Sequence, residues 1–234
     1  MNVIANQEHL TAKLHRYEGS TLCEEILLPM ALLPQACDFA GAKWKMSSQQ
    51  VRGPEGTAVY LSLELVEGTA ENVALCAEIS FPAWGTDRYL VCPGVVYAGN
   101  RFDVRPMAYP PILTDPFDIG VDQPPRITDV LRLEIAPGKS EFHLLAGAMA
   151  VPAIGVFDPT RNRGLLVLTR PFEDERETSY KFAENDHRTN ASLEIVTPGV
   201  RQKTRYAMAT TKVSSGDRGA DLMAGDSLEL HFQI

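Results

Sequence analysis

The chain has 234 residues, 44% of them hydrophobic and 22% charged, with a net charge of −8. This composition can fill a sizeable core and excludes an intrinsically disordered chain, which would need lower hydrophobicity or a stronger charge bias. The acidic balance excludes a sequence-independent nucleic-acid binder, because such proteins need a basic stripe to displace counterions from phosphates.

From the N-terminus, Met1 to Leu10 is polar and lacks the apolar core of a signal peptide, which points to the cytoplasm. Leu10, Leu14 and Tyr17 have helical spacing, but the same stretch also reads as a first strand ending at Gly19. The apolar run Ile26 to Leu33 is interrupted by Pro29 and closed by Pro34, too short to cross a bilayer. Period-two alternation then dominates. Val59, Leu61, Leu63 and Leu65 share one face of Thr57–Leu65, with Ser62 and Glu64 on the other. Val73, Leu75, Ala77 and Ile79 share a face of Asn72–Ser80. Val130–Ile135, Glu141–Leu145, Gly164–Thr169, Ala191–Val196 and Ser227–Ile234 follow the same rule. Side chains on a strand point alternately to opposite faces, so each run predicts a half-buried strand. Gly- and Pro-bearing turns separate them, at Arg52–Gly56, Glu67-Gly68, Pro137-Gly138, Asp158-Pro159, Pro198-Gly199 and Ala224–Asp226.

The expected fold is therefore all-β, one large antiparallel sandwich over residues 1–234. Phe102–Pro125 carries Pro106, Pro110, Pro111, Pro116, Pro124 and Pro125, which argues against a central strand and for a long packed loop. A boundary between two β lobes is the alternative. The chain stops at Ile234 inside a strand pattern without a polar tail, as expected of a piece of a longer protein.

No complete catalytic motif is present. There is no HExxH, GxSxG elbow, Walker A loop or GxGxxG, and Cys23, Cys37, Cys76 and Cys92 are too widely spaced for a zinc motif. Cys76 and Cys92 sit in apolar strand-like runs, so we expect buried core thiols rather than disulfides, and no metal or cofactor. Asp115, Asp118 and Asp122 do not match a calcium loop. Glu173-Asp174-Glu175 reads as a solvated turn, and Glu229 and His231 as neighbours on one strand face.

The densest polar-aromatic region runs from Trp84 to Phe102. A sugar site needs aromatic platforms for its C–H faces and planar polar groups for its hydroxyls. Trp84, Asp87, Arg88, Tyr97, Asn100 and Arg101, with Tyr109 from the long loop, supply these types. The alternative for the aromatics is a core position. Arg201, Asp217, Arg218 and Asp221 form a second polar cluster, read as loop-ordering ion pairs.

Two stretches resemble a known family. Cys92-Pro93-Gly94-Val95-Val96-Tyr97-Ala98-Gly99-Asn100-Arg101-Phe102 resembles the PG-x-x-Y-x-GNRF segment of large bacterial glycoside-hydrolase-like proteins. Pro198-Gly199-Val200-Arg201, Asp217-Arg218-Gly219-Ala220 and Gly225-Asp226-Ser227-Leu228 resemble the end of their N-terminal domain. The resemblance implies a galactose-mutarotase-like β-supersandwich, non-catalytic, packed on a following (α/α)6 barrel in the same chain and contacting carbohydrate. Mutarotases proper use a histidine and a carboxylate, a pattern that does not map onto His9, His15, His143, His187 or His231 by sequence. A stand-alone sugar epimerase would need His143, His187 or His231 to meet a glutamate in a cleft. A protein-interaction module would show a large exposed apolar patch.

Overall fold

A computed structural model of the chain describes residues 10–30, 34–93, 140–201, 204–205, 212–213 and 216–234. Val130–Ile135, the Pro137-Gly138 turn and the proline-rich Phe102–Pro125 segment lie outside them. In chain order the strands are β1 (Leu10–Glu18), β2 (Thr21–Pro29), β3 (Gln35–Phe39), β4 (Ala42–Gly53), β5 (Gly56–Glu67) and β6 (Thr69–Phe81). They continue with β7 (Tyr89–Val91), β8 (Ser140–Leu145), β9 (Ala153–Asp158), β10 (Arg163–Thr169), β11 (Phe172–Glu173) and β12 (Arg176–Glu177). The last are β13 (Ser179–Glu184), β14 (Ala191–Thr197), β15 (Thr204–Arg205), β16 (Lys212–Val213), β17 (Ala220–Met223) and β18 (Ser227–Gln233). Among the described residues no helix is long and apolar enough to cross a membrane.

Two antiparallel sheets carry the fold. The first runs β2-β1-β6-β14-β13-β8, with β17 also paired to β6. The second runs β3-β4-β5-β18-β10-β9-β7. The chain passes between sheets at tight turns: Gly68, at φ 99, joins β5 to β6, and Gly225, at φ 98, stands between β17 and β18. Both glycines occupy backbone space that side chains disfavour.

The alternation sorts each strand as its pattern requires. Leu10, Ala12, Leu14, Leu75, Ala77, Ile79, Leu193, Ile195 and Phe182 from the first sheet belong to one buried core with Trp44, Met46, Leu61, Leu63, Leu228 and Leu230 from the second. Leu228 pairs with Leu63, and Leu230 with Leu61, so the last strand slots into the sheet as a core strand. The fold is thus the all-β sandwich expected. Residues 10–17, which allowed helix or strand, form β1 because both edges find partners, β2 on one side and β6 on the other. Leu10 and Leu14 face the core, while Tyr17, three residues on, falls on the opposite face.

Asn72 fastens one corner of the first sheet. At φ 56 it holds a left-handed conformation that asparagine tolerates. Its amide donates to the carbonyls of Tyr17 and Gly19 and accepts from the Gly219 N–H, tying the β1–β2 turn to the approach to β17.

Candidate functional site

The outer face of the first sheet is neither apolar nor simply solvated. In β1 the residues that alternate with the inward face, Lys13, His15 and Tyr17, are also buried, on the far side of the sheet. Register lines up their companions. Glu78 on β6 lies opposite Glu194 on β14, Glu194 opposite Lys181 on β13, and Lys181 opposite His143 on β8. Glu25 on β2 lies opposite His15.

Two carboxylates side by side on neighbouring strands repel each other unless cations intervene. Here two lysines do so. The Lys13 ammonium binds Glu78 and lies 3.2 Å from Glu194 Oε1 and 3.6 Å from Glu25 Oε2. Lys181 Nζ donates to the other oxygen of Glu194 at 3.1 Å. His15 Nδ1 meets the Tyr17 hydroxyl at 3.0 Å, and its Nε2 stands 3.5 Å from Glu25 Oε2.

The charges are mutually locked. Burial pulls Lys13 down, but the hydrogen bond to Glu78 and the charges of Glu194 and Glu78 more than offset it, so its ammonium is held above the ordinary range. Lys181 is raised in the same way, with Glu194 countering burial. Burial pushes Glu194 up, yet Lys181 and Lys13 leave it below the usual carboxylate range. Contact with His15, against burial and with help from Lys13, holds Glu25 down to about 2. Burial drives the Tyr17 hydroxyl and the Cys76 thiol well up. At neutral pH these lysines and glutamates are fixed charges rather than proton shuttles.

His143 behaves differently. Its Nε2 meets Ser179 Oγ at 2.9 Å, and burial, then the Lys181 charge, push it down to about 3. The folded state therefore binds one proton fewer than the unfolded chain between that value and the ordinary histidine pKa of about 6.5. The stability His143 contributes is present above pH ~6.5 and is lost as the pH falls towards 3. Urea unfolding of His143→Gln is expected to show a flatter decline over that window than the parent chain; parallel declines would contradict the assignment.

Of the residues singled out by sequence, those that are described lie outside this cluster. Trp84 is 6% exposed, its ring packed on Phe81 and Phe182 at centroid distances of 5.6 and 5.3 Å. Its indole N–H donates to Glu184 at 2.5 Å, and the Arg88 guanidinium lies 5.9 Å from the ring centroid. This is the core position weighed against a sugar platform. Arg88 also pairs with Asp158 at 3.1 Å, while the exposed Asp87 accepts from Thr160 at 3.1 Å. Tyr97, Asn100, Arg101 and Tyr109 lie outside the described residues. Arg201 grips Asp217 through Nε at 2.6 Å and Nη2 at 2.9 Å, and Arg218 grips Asp221 at 2.7 Å. Asp221 further accepts the Asn72 N–H, so these pairs bind the segments around β17 to the first sheet. Glu173, read as part of a solvated turn, is instead buried beside His231, 3.3 Å from Nδ1, with Glu229 3.2 Å from Nε2. Among the described residues all four cysteines are free thiols, Cys76 and Cys92 buried.

Sequence reasoning missed Lys13, His15, Glu25, Glu78, Lys181 and Glu194. The available signal was a charged or titratable residue on the face opposite the apolar one in several strands, Lys13 and His15 in β1, Glu78 in β6, Lys181 in β13 and Glu194 in β14. In a central strand that pattern marks a sheet with a polar buried face.

No family model and no curated protein matches the chain. Among solved structures, a protein from Escherichia coli K12 assigned as an aldose 1-epimerase aligns over 85% of this chain and 66% of its own length. The identity is 10% and the TM-score 0.40, too distant to carry an argument about function.

Proposed function

We propose that this chain is a non-catalytic carbohydrate-associated β-sandwich domain, and that it meets its ligand on the outer face of the first sheet. The supporting observation is the row Glu78–Glu194–Lys181–His143, with Lys13, His15 and Glu25 beside it. Sugar hydroxyls both donate and accept, and the part-exposed Glu25, Glu78 and Lys181 at the rim of this buried cluster offer partners of each kind, already oriented. Fixed charges favour binding over acid–base chemistry, which needs a group poised near the working pH. In a carbohydrate-active protein such a domain would pack on a helical catalytic domain and present this face to the substrate.

A second reading, a mutarotase-like sugar epimerase, draws on one contact: His15 set between Tyr17 and Glu25. A histidine oriented by a carboxylate is the pairing acid–base transfer uses.

Calorimetric titration with mono- and oligosaccharides should show saturable binding, weakened at least tenfold in Lys181→Met. Absence of binding at millimolar sugar would defeat the binding reading. Accelerated interconversion of glucose or galactose anomers by NMR, abolished in His15→Gln, would select the epimerase instead.

A further inference from the structure

His15, Cys76 and Glu194 each direct one ligand atom into the same space, all three within 4.8 Å of one another. They sit on the three adjacent strands β1, β6 and β14. Cys76 is opposite Lys13 on one side and Val196 on the other, so His15 and Glu194 are its diagonal neighbours in opposite directions. All three side chains are buried. From this geometry we infer a transition-metal site of zinc type, with His15, Cys76 and Glu194 as its three protein ligands.

Three further observations support a cation here. First, His15 Nε2 is buried and makes no hydrogen bond among the described residues, its nearest charged neighbour being Glu25 Oε2 at 3.5 Å, although Nδ1 is engaged by Tyr17. A buried ring nitrogen without a partner is costly, and coordination of the ring supplies one to the histidine. Second, the cluster sets three carboxylates, Glu25, Glu78 and Glu194, against two ammonium groups, Lys13 and Lys181. A divalent cation bound with a thiolate brings the whole to electrical balance. Third, the donor set is imidazole, thiolate and carboxylate, the mixture that borderline-soft zinc accepts and that calcium or magnesium does not favour.

Loading requires small movements. Tetrahedral zinc places such ligand atoms about 3.3–3.6 Å apart, so the triangle contracts. Lys13 must release Glu194 Oε1, which it can do while retaining Glu78 and Glu25. The Cys76 thiol gives its proton to solvent as the metal–sulfur bond forms, so affinity rises with pH. Three protein ligands leave a fourth position open for water or for a hydroxyl of a bound ligand. The inference does not depend on sugar binding.

Cobalt(II) serves as the spectroscopic probe. The chain freed of metal with a chelator should take up one equivalent, developing visible bands of a tetrahedral ion and a thiolate-to-cobalt charge-transfer band in the near ultraviolet. Zinc should bleach both stoichiometrically. Cys76→Ala should lose the charge-transfer band, and His15→Gln should bind at least tenfold more weakly, whereas Cys23→Ala should behave as the parent. X-ray absorption of the zinc-loaded parent, which needs no variant, should show one sulfur at about 2.3 Å in the first shell. No stoichiometric uptake, a first shell without sulfur, or a charge-transfer band that follows Cys23 would overturn the site.

Discussion

Lys13→Met is expected to destabilise the fold by about 3–5 kcal/mol at pH 7, because removing one member of a buried ionic network strands the charges it compensated. The substitution keeps the length and apolar stem of the side chain, so packing is largely retained. What changes is electrostatic: Glu78, Glu194 and Glu25 lose the ammonium they share. Burial already pushes the Glu194 carboxyl up, so losing Lys13 raises its pKa in the folded state. That penalty is full at neutral pH and fades as acid protonates the group, so the gap between parent and variant should narrow as the pH falls. Glu78→Gln in the Lys13→Met background should recover part of the loss. Urea denaturation of the four chains of this cycle measures the coupling directly. A cost below about 1 kcal/mol at pH 7 would mean the face is open to water and its charges screened, as in a surface ion pair. That result would also remove the electrostatic basis for the proposed binding face.

Phe182→Ala is expected to cost about 3–5 kcal/mol by leaving a cavity at the centre of an aromatic cluster. Phe182 has no exposed surface, and its ring lies 5.3 Å from Trp84, 6.0 Å from Phe142 and 6.3 Å from Phe81 between centroids. Phe182→Leu, which conserves most of the volume, should cost less than about 1.5 kcal/mol. Equal losses for the two would show that ring contacts rather than volume hold the site together. The cluster bears on how ligand binding is tested. Trp84 belongs to it and gives its N–H to Glu184, which is itself paired with Arg188 at 3.3 Å. Removing Trp84 opens a cavity and leaves a buried acceptor, so sugar binding lost in Trp84→Ala would report on stability. Lys181→Met, on the outer face, also strips a counter-ion from Glu194, so its sugar titration is read on protein shown by urea unfolding to be folded.

Much of the architecture could be read from local pattern. The runs at Thr57–Leu65, Asn72–Ser80 and Ser227–Ile234 emerge as β5, β6 and β18 with their apolar faces inward, and the turns at Gly53–Gly56, Gly68 and Ala224–Asp226 connect strands as read. Other strands carried weaker signals. β3 and β4 mix polar and apolar residues because β3 is a sheet edge and much of β4 is exposed. β13 alternates serine, lysine and alanine with tyrosine and phenylalanine, which blurs the contrast.

The candidate site was far less legible. Lys13 and Glu194 are 181 positions apart yet hydrogen-bonded. His15, Cys76 and Glu194 match no metal motif because motifs record ligands delivered by one local segment, and these come from three strands. The cysteine spacing that excluded a zinc pattern along the chain says nothing about partners brought across a sheet.

The sequence by itself determined the fold class, the inward set of each strong strand and the turns between them, since period-two hydrophobicity and turn chemistry act over a few residues. Only the tertiary structure decided which strands are neighbours and in what register. That choice rests on burying one shared core, and it is what sets charged residues from β1, β6, β13 and β14 side by side on the opposite face.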